Sequence, residues 1–248
     1  MLSSTTHRSL PPLIPPRDVS LFLDFDGTLV ELADRPDGVL VDPDLAPLLE
    51  RVAGLLDGRL AIVSGRSVAQ IDSLLGPLAD RLALVGSHGG EVRLPGAAVI
   101  APERPEALLA AETLFADAFA GEAGVIMEVK SLGVAVHYRL APSAGPRANA
   151  LAQSMGAHNG LLVQKGKMMV ELRATGHDKG SGIAALMDVA QFGGHDPVFL
   201  GDDDTDEPGF AWCEAAGGFG VLVGPPRPTD ARYRLPDVAA VHGWLASL

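Results

Sequence analysis

The sequence predicts an α/β fold, a doubly wound and mainly parallel sheet interrupted by an inserted α+β module. Two observations carry that prediction. Towards both ends of the chain, short apolar runs alternate with amphipathic helical patterns, whereas between them the residues alternate with period two and are joined by tight links.

Taken in order, the start MLSSTTHRSLPPLIPPRD holds four prolines between Pro11 and Pro16 and lacks the apolar stretch of a leader. Residues 1–18 therefore read as an extended or disordered tail. Ser20 to Phe25 and Leu60 to Val63 are apolar runs of strand length. Between them Leu45, Leu48, Leu49, Val52, Leu55 and Leu56 share one helical face, which makes a β-α-β unit. Ser67 can cap the next helix, with Val68, Ile71, Leu74 and Leu75 inward, until Gly76-Pro77 stops it. Leu82 to Val85 is a further strand.

After GSHGGEVR the texture changes. VIMEVK, GVAVHYR and KMMVELR alternate inward and outward residues, and the SLG and KGK links suggest antiparallel pairs. Helical patterns lie around Ala107 to Phe119 and Arg147 to His158. The expected division is a core of 19–88 and 174–248 with a second module over 89–173. The first pattern then resumes, with Asp178 as a cap, a helix through Val189, the strand PVFLG, a helix after Asp204 and the strand GFGVLVG.

Composition sets limits. With 248 residues, 47% hydrophobic and 20% charged, the chain has the proportions of a globular protein. A formal charge of -12 argues against a nucleic-acid or anionic-membrane surface, so an anionic substrate needs a local cationic trap. Cys213 is the single cysteine, which excludes an intramolecular disulfide and a Cys-rich zinc site, fits a reducing compartment, and reads as a buried helix residue. No apolar run is long enough to cross a bilayer, and the expected location is the cytoplasm.

Loops at the C-terminal ends of parallel strands converge on one crevice. Asp24 and Asp26 leave the first strand, Ser64-Gly65-Arg66 leaves the second, Asp202-Asp203 follows Phe199-Leu200-Gly201, and Lys179 opens a capped helix. So many carboxylates repel one another, and oxygen ligands without a His or Cys cluster point to Mg²⁺ as the ion that relieves them. Asp24 is placed to attack phosphorus; Asp26, oriented by Thr28 across the turn at Gly27, can protonate the leaving alkoxide and later deprotonate water. Ser64, nearby amides and Lys179 would cradle the phosphoryl oxygens. Each signal also has an ordinary reading as a surface turn, a loop and helix cap, a solvated lysine or an acidic helix start, but all four would have to coincide.

The assembled motifs resemble the haloacid dehalogenase-like phosphatases: DFDGT, VSGR, HDKG and GDDDTDE. The resemblance implies a Rossmann-like core with a C2-type cap, Asp24 as nucleophile and Asp26 as acid and base. It assigns Mg²⁺ to Asp24, the Asp26 main-chain carbonyl and Asp202, with Asp203 and Asp206 supporting those ligands. GSHGGE, MEVKSLGVAVHYR, KGKMMVELR and GDDDTDE are similar to the trehalose-6-phosphate phosphatases. That likeness implies that Glu128, Lys130 and Glu171 grip the glucose that bears no phosphate, that His88 and Gly89 lie in a hinge, and that the enzyme acts after a trehalose-6-phosphate synthase. Ser131 and Asp204 depart from the family pattern, which commonly has Pro and Arg there. Period-two alternation independently puts Glu128 and Lys130 on one strand face with Glu171 able to join them, which by itself reads either as a set of groups for a hydroxyl-rich ligand or as an ordinary ion pair on a solvated sheet face. His137 and Arg139 share a strand face and either approach the substrate or serve packing; His88 either contacts ligand or braces the hinge. Phosphatases of sucrose 6-phosphate or mannosylglycerate phosphate, and a catalytically silent sugar-phosphate-binding domain, are the rival readings.

Overall fold

The computed structural model describes residues 9–33 and 38–248. In chain order the strands are β1 Val19–Leu23, β2 Leu60–Val63, β3 Ala83–Gly86, β4 Glu91–Arg93, β5 Ile126–Lys130, β6 Gly133–His137, β7 Leu162–Gly166, β8 Met169–Arg173, β9 Asp196–Gly201, β10 Phe219–Val223 and β11 Tyr233–Leu235. The helices are α1 Leu45–Leu55, α2 Val68–Leu75, α3 Glu106–Ala118, α4 Gly145–Asn159, α5 Lys179–Met187, α6 Glu207–Ala215 and α7 Val238–Ala246. None of the described helices is long and apolar enough to cross a membrane. The chain divides into two compact units, Met1–Ala101 with His177–Leu248, and Pro102–Gly176.

The first unit is built on a seven-stranded sheet of order β11-β10-β9-β1-β2-β3-β4, parallel throughout except for β4. Every residue of β1, β2 and β10 is buried, as expected of strands covered on both faces. Alternation then sorts their side chains. Leu21, Leu23, Leu60, Ile62, Val198 and Leu200 join an apolar cluster with α1, α2 and α7, whereas Phe22, Ala61, Val63 and Phe199 join another with α5 and α6. Cys213 is buried in the latter cluster, and burial, then Glu214, pushes its thiol pKa up. From β1 the chain winds one way through β2 and β3 and the other through β9 and β10. β1 therefore stands at the reversal of strand order, where ligands bind in open α/β sheets.

Four expectations need correction. Residues 9–18 are docked rather than free: Arg234 N donates to Ser9 O at 3.1 Å, Trp244 Nε1 to Pro12 O at 3.2 Å and Arg59 Nη2 to Pro16 O at 3.1 Å. The rest of the expected tail, residues 1–8, lies outside the described residues. The start of the second module, expected at residue 89, moves to Pro102, because Glu91–Arg93 pairs antiparallel with β3 and completes the core sheet. At the other end the core resumes at His177 rather than at 174. Leu55 is 43% exposed, so the buried face of α1 runs through Leu45, Leu49 and Val52 without it.

The second unit is a four-stranded antiparallel sheet of order β5-β6-β8-β7 with α3 and α4 on one face. Two-residue links join its hairpins: Ser131 and Leu132 lie between the paired Lys130 and Gly133, Lys167 and Met168 between Gly166 and Met169. Val134, Val136, Val170 and Leu172 face the helices with Leu108, Ala111, Phe115, Ala148 and Ala152. On the opposite face, Glu128, Ala135, Glu171 and Gln164 fall in one row across the strands.

Candidate active site

The reversal at β1 begins with Asp24, whose amide extends the ladder by donating to Leu200 O at 2.9 Å. Its carboxylate is buried. The chain then turns at Gly27, at φ +79°, where a Cβ would lie 2.2 Å from Asp202 Oδ2. Glycine is required there twice, for the left-handed backbone and for the approach of Asp202.

Helix α5 supplies the cation. Asp178 caps it, accepting from Ser181 N at 2.8 Å, so Lys179 enters at the first helical position with its side chain buried. Lys179 Nζ donates to Asp24 Oδ1 at 2.8 Å and to Asp206 Oδ1 at 2.6 Å. Asp206 Oδ2 in turn accepts the amides of Asp202 and Asp203 at 2.9 and 3.0 Å, which folds the acidic loop around that carboxylate. Asp24, Asp202 and Asp206 each present an oxygen within 4.8 Å of the others.

One ammonium does not neutralise this cluster. Burial, then the charge of Asp206, holds Asp24 well above the usual carboxylate range despite Lys179. Burial and then Asp206 and Asp203 raise Asp202 to about 7. Asp206 stands at about 6, with burial as the main cause and Lys179 opposing it. Burial also works against the Lys179 ammonium, but Asp206 and Asp24 outweigh it and raise its pKa. Asp203 differs: burial is outweighed by Lys179 and by hydrogen bonds from Thr205, and its pKa falls.

Asp26 points to another partner. Arg66 Nε donates to its Oδ2 at 2.6 Å and Nη2 to its Oδ1 at 2.8 Å, a two-point grip that joins the β1 and β2 loops. Thr28 was expected to orient Asp26, but its buried Oγ1 has no hydrogen-bond partner among the described residues; Arg66 takes that role. The Ser64-Gly65-Arg66 loop is laced to the segment after β3. Ser64 Oγ accepts from Arg66 N at 3.1 Å, His88 N donates to Ser64 O at 3.0 Å, and Ser87 N donates to Arg66 O at 2.7 Å. Ser87 and His88 both adopt left-handed backbone, at φ 48° and 54°. This local strain brings the His88 ring so close to Gly65 that a Cβ there would lie 2.5 Å from Cε1. His88 thus lies against the expected phosphate loop, and Gly89 follows it where a Cβ would meet Asp178 O at 2.0 Å.

In the second unit, Glu128, Lys130 and Glu171 share the face opposite the helices. Lys130 Nζ donates to Glu171 Oε2 at 2.9 Å, and His137 Nε2 lies 2.8 Å from Glu128 Oε2. A Cβ at Gly133 would come within 2.5 Å of Glu171 Oε1, so this glycine leaves the space that the carboxylate occupies. Arg139 does not share the strand with His137. It lies beyond the end of β6, and its Nη2 donates to Lys167 O at 3.4 Å.

Sequence reasoning gave Asp206 a supporting part only, whereas its carboxylate belongs to the acidic cluster as well as holding the loop. It missed Glu91, whose Oε2 accepts from Val68 N at 2.6 Å and so steadies the start of α2 just after the Ser64 loop. It also missed Arg227, which donates to Asp203 O at 2.6 Å. Glu91 closes the GSHGGE motif, whose reading stopped at His88 and Gly89, whereas Arg227 lies outside the motifs in a proline-rich connection.

The parallel sheet thus reverses beside Asp24, and a lysine and three carboxylates gather at the reversal. A family model described as trehalose-phosphatase matches residues 22–239, and the chain belongs to that family. It is 38% identical to a probable trehalose-phosphate phosphatase of Sinorhizobium fredii, over 92% of this chain and 87% of that one. Identity is also 38% to the trehalose-6-phosphate phosphatase of Escherichia coli, over 90% and 84% respectively. Among solved structures, the C-terminal domain of the C. albicans trehalose-6-phosphate phosphatase superposes with a TM-score of 0.81 at 20% identity, covering 97% of this chain and 98% of that one. That last likeness concerns the fold.

Proposed function

We propose that this enzyme hydrolyses trehalose 6-phosphate to trehalose and phosphate, with Mg²⁺ as cofactor and Asp24 as the transient phosphate carrier. The observation that carries the reading is the group of buried Asp24, Lys179 and Asp206 with half-buried Asp202 at the sheet reversal. Family membership and the two relatives at 38% identity support the sugar phosphate.

The residues fit a divalent ion. Three carboxylates with oxygens within 4.8 Å lie around one ammonium, and burial first, then the neighbouring carboxylates, raise the pKa values of all three, which disfavours their charged forms. The donors are oxygen only, which suits Mg²⁺ over softer metals. Asp24, Asp202 and the Asp26 carbonyl would hold it, with Asp206 adjoining; bound there, it would offset the charge of the phosphoryl group.

Asp24 attacks phosphorus and forms an acyl phosphate as the bond to the sugar oxygen breaks. Lys179 keeps the Asp24 carboxylate in place and draws anionic oxygens towards it. Asp26, oriented by Arg66, gives a proton to the departing alkoxide; it then takes one from the water that attacks phosphorus, releasing phosphate and restoring Asp24. Ser64 and the amides of its loop bind phosphoryl oxygens. The Glu128, Lys130 and Glu171 face reads the hydroxyl groups of the sugar. A synthase that makes the disaccharide phosphate would act upstream, and the single cysteine suits the cytoplasm.

Phosphate release from a panel of disaccharide and monosaccharide phosphates tests the assignment. Trehalose 6-phosphate should be turned over with the highest kcat/KM; a preference for sucrose 6-phosphate or mannosylglycerate phosphate would replace it.

A further inference from the structure

The loop from Asp202 to Glu207 carries five carboxylates, and charge repulsion favours its opening. Lys179 and Asp206 hold it from within. A second clamp closes it from the other side, supplied by the connection between β10 and β11. Arg227 Nη2 donates to Asp203 O at 2.6 Å, while Nη1 donates to Glu207 Oε1 and to Pro228 O, the latter at 3.0 Å. Asp204 Oδ1 lies 3.5 Å from the same Nη1. Glu207 completes the link, because its Oε2 accepts Asp230 N at 2.7 Å.

We propose that Arg227 is a positioning residue for the metal site, fixing the main chain of the acidic loop so that Asp202 meets Mg²⁺ in a ready-made geometry. The inference rests on the metal reading given above. Asp203 is the point of leverage: its N–H is held by Asp206 Oδ2 and its C=O by Arg227, so the peptide that follows Asp202 and the next one are both fixed. A guanidinium is suited to this because its planar fork reaches a carbonyl on one residue and a carboxylate on another, which a lysine ammonium does less well.

Charge and geometry predict opposite outcomes, which makes the idea testable. If Arg227 acted only through its charge, removing it would leave the site more negative and Mg²⁺ would bind more tightly. If it positions the loop, Mg²⁺ binds more weakly, since loss of groups that orient metal ligands typically costs 10–100-fold in affinity. The experiment is a Mg²⁺ titration of the metal-free enzyme, read by calorimetry and by the rise in unfolding temperature, for wild type, Arg227→Ala and Arg227→Lys. We expect the Mg²⁺ dissociation constant to rise about tenfold or more in Arg227→Ala and less in Arg227→Lys, with kcat largely recovered at saturating Mg²⁺. An unchanged or lower dissociation constant in both variants would overturn the proposal, and Arg227→Lys provides the reading should Arg227→Ala not fold. A wild-type enzyme that binds no Mg²⁺ would overturn the metal reading itself along with this inference, whereas normal wild-type binding with unaltered variants would overturn the inference alone.

Discussion

Two polar clusters in this chain solve the problem of buried charge differently. On the sheet face of the second unit, Glu171 meets Lys130 and Glu128 meets His137. At the core sheet reversal, Asp24, Asp202 and Asp206 gather around the single ammonium of Lys179, and Asp24 and Asp206 contact it directly. The first arrangement sets a nitrogen-bearing side chain beside each carboxylate and would offer hydrogen-bonding groups to a ligand. The second sets three carboxylates against one ammonium, and burial followed by repulsion from neighbouring carboxylates raises the Asp202 and Asp206 pKa values to about 7 and about 6, a strain that a bound cation would relieve. The difference fits the proposal that one cluster does the chemistry and the other recognises the sugar.

Substitutions should separate those roles. Asp24→Asn removes the proposed nucleophile and should lower kcat on every phosphomonoester by more than about a thousandfold. It also removes a disfavoured buried charge, so the metal-free variant should unfold at a higher temperature than wild type at pH 7; a loss of activity accompanied by a lower unfolding temperature would point to damaged folding instead. Glu171→Ala leaves the core untouched and deletes a charged hydrogen-bonding group worth about 1.5–3 kcal/mol, roughly ten- to a hundredfold in kcat/KM. The loss should appear with trehalose 6-phosphate and not with a small aryl phosphate. Equal losses on both would remove the second unit from sugar recognition.

Gly133→Ala should have a smaller effect in the same direction. Its methyl group would displace the end of the Glu171 side chain, which can give way, so KM for the sugar phosphate should rise a few-fold while unfolding changes little. The gentlest prediction concerns pH. Asp202 and Asp206 have folded pKa values of about 7 and about 6, above the unfolded value of about 3.9. The folded state therefore holds more protons between those limits, and metal-free stability should decline as pH rises from about 4 to about 7. Saturating Mg²⁺ should flatten that slope. A metal-free stability that rises over this interval would contradict the assignment of charge strain to the cluster.

Much of this organisation was legible because it is local. Apolar runs marked β1, β2 and β9, Ser67 and Asp178 announced their helices, and period two placed Glu128, Lys130 and Glu171 on one face. Motif order carried Asp24, Lys179 and Asp202 to the same sheet reversal. What escaped depends on partners far apart in the chain. The grip of Arg66 on Asp26 joins two loops, Glu91 steadies a helix from another strand, and Arg227 reaches the acidic loop from beyond β10. No periodicity records such pairs, and Thr28 looked the better partner for Asp26 only because it was nearer in sequence. The short β4 was missed for a related reason: three residues paired to β3 follow two left-handed positions, and the turn looked like the end of a domain.

The central claim is that the uncompensated carboxylates at the sheet reversal work only with a divalent cation and pass phosphate through Asp24. Its most direct test is phosphate release from trehalose 6-phosphate by chelator-treated enzyme before and after Mg²⁺ is restored. The account predicts no turnover without the ion and saturable recovery with it in the wild type, but none in Asp24→Asn. Undiminished turnover in excess chelator, or recovery in that variant, would contradict it.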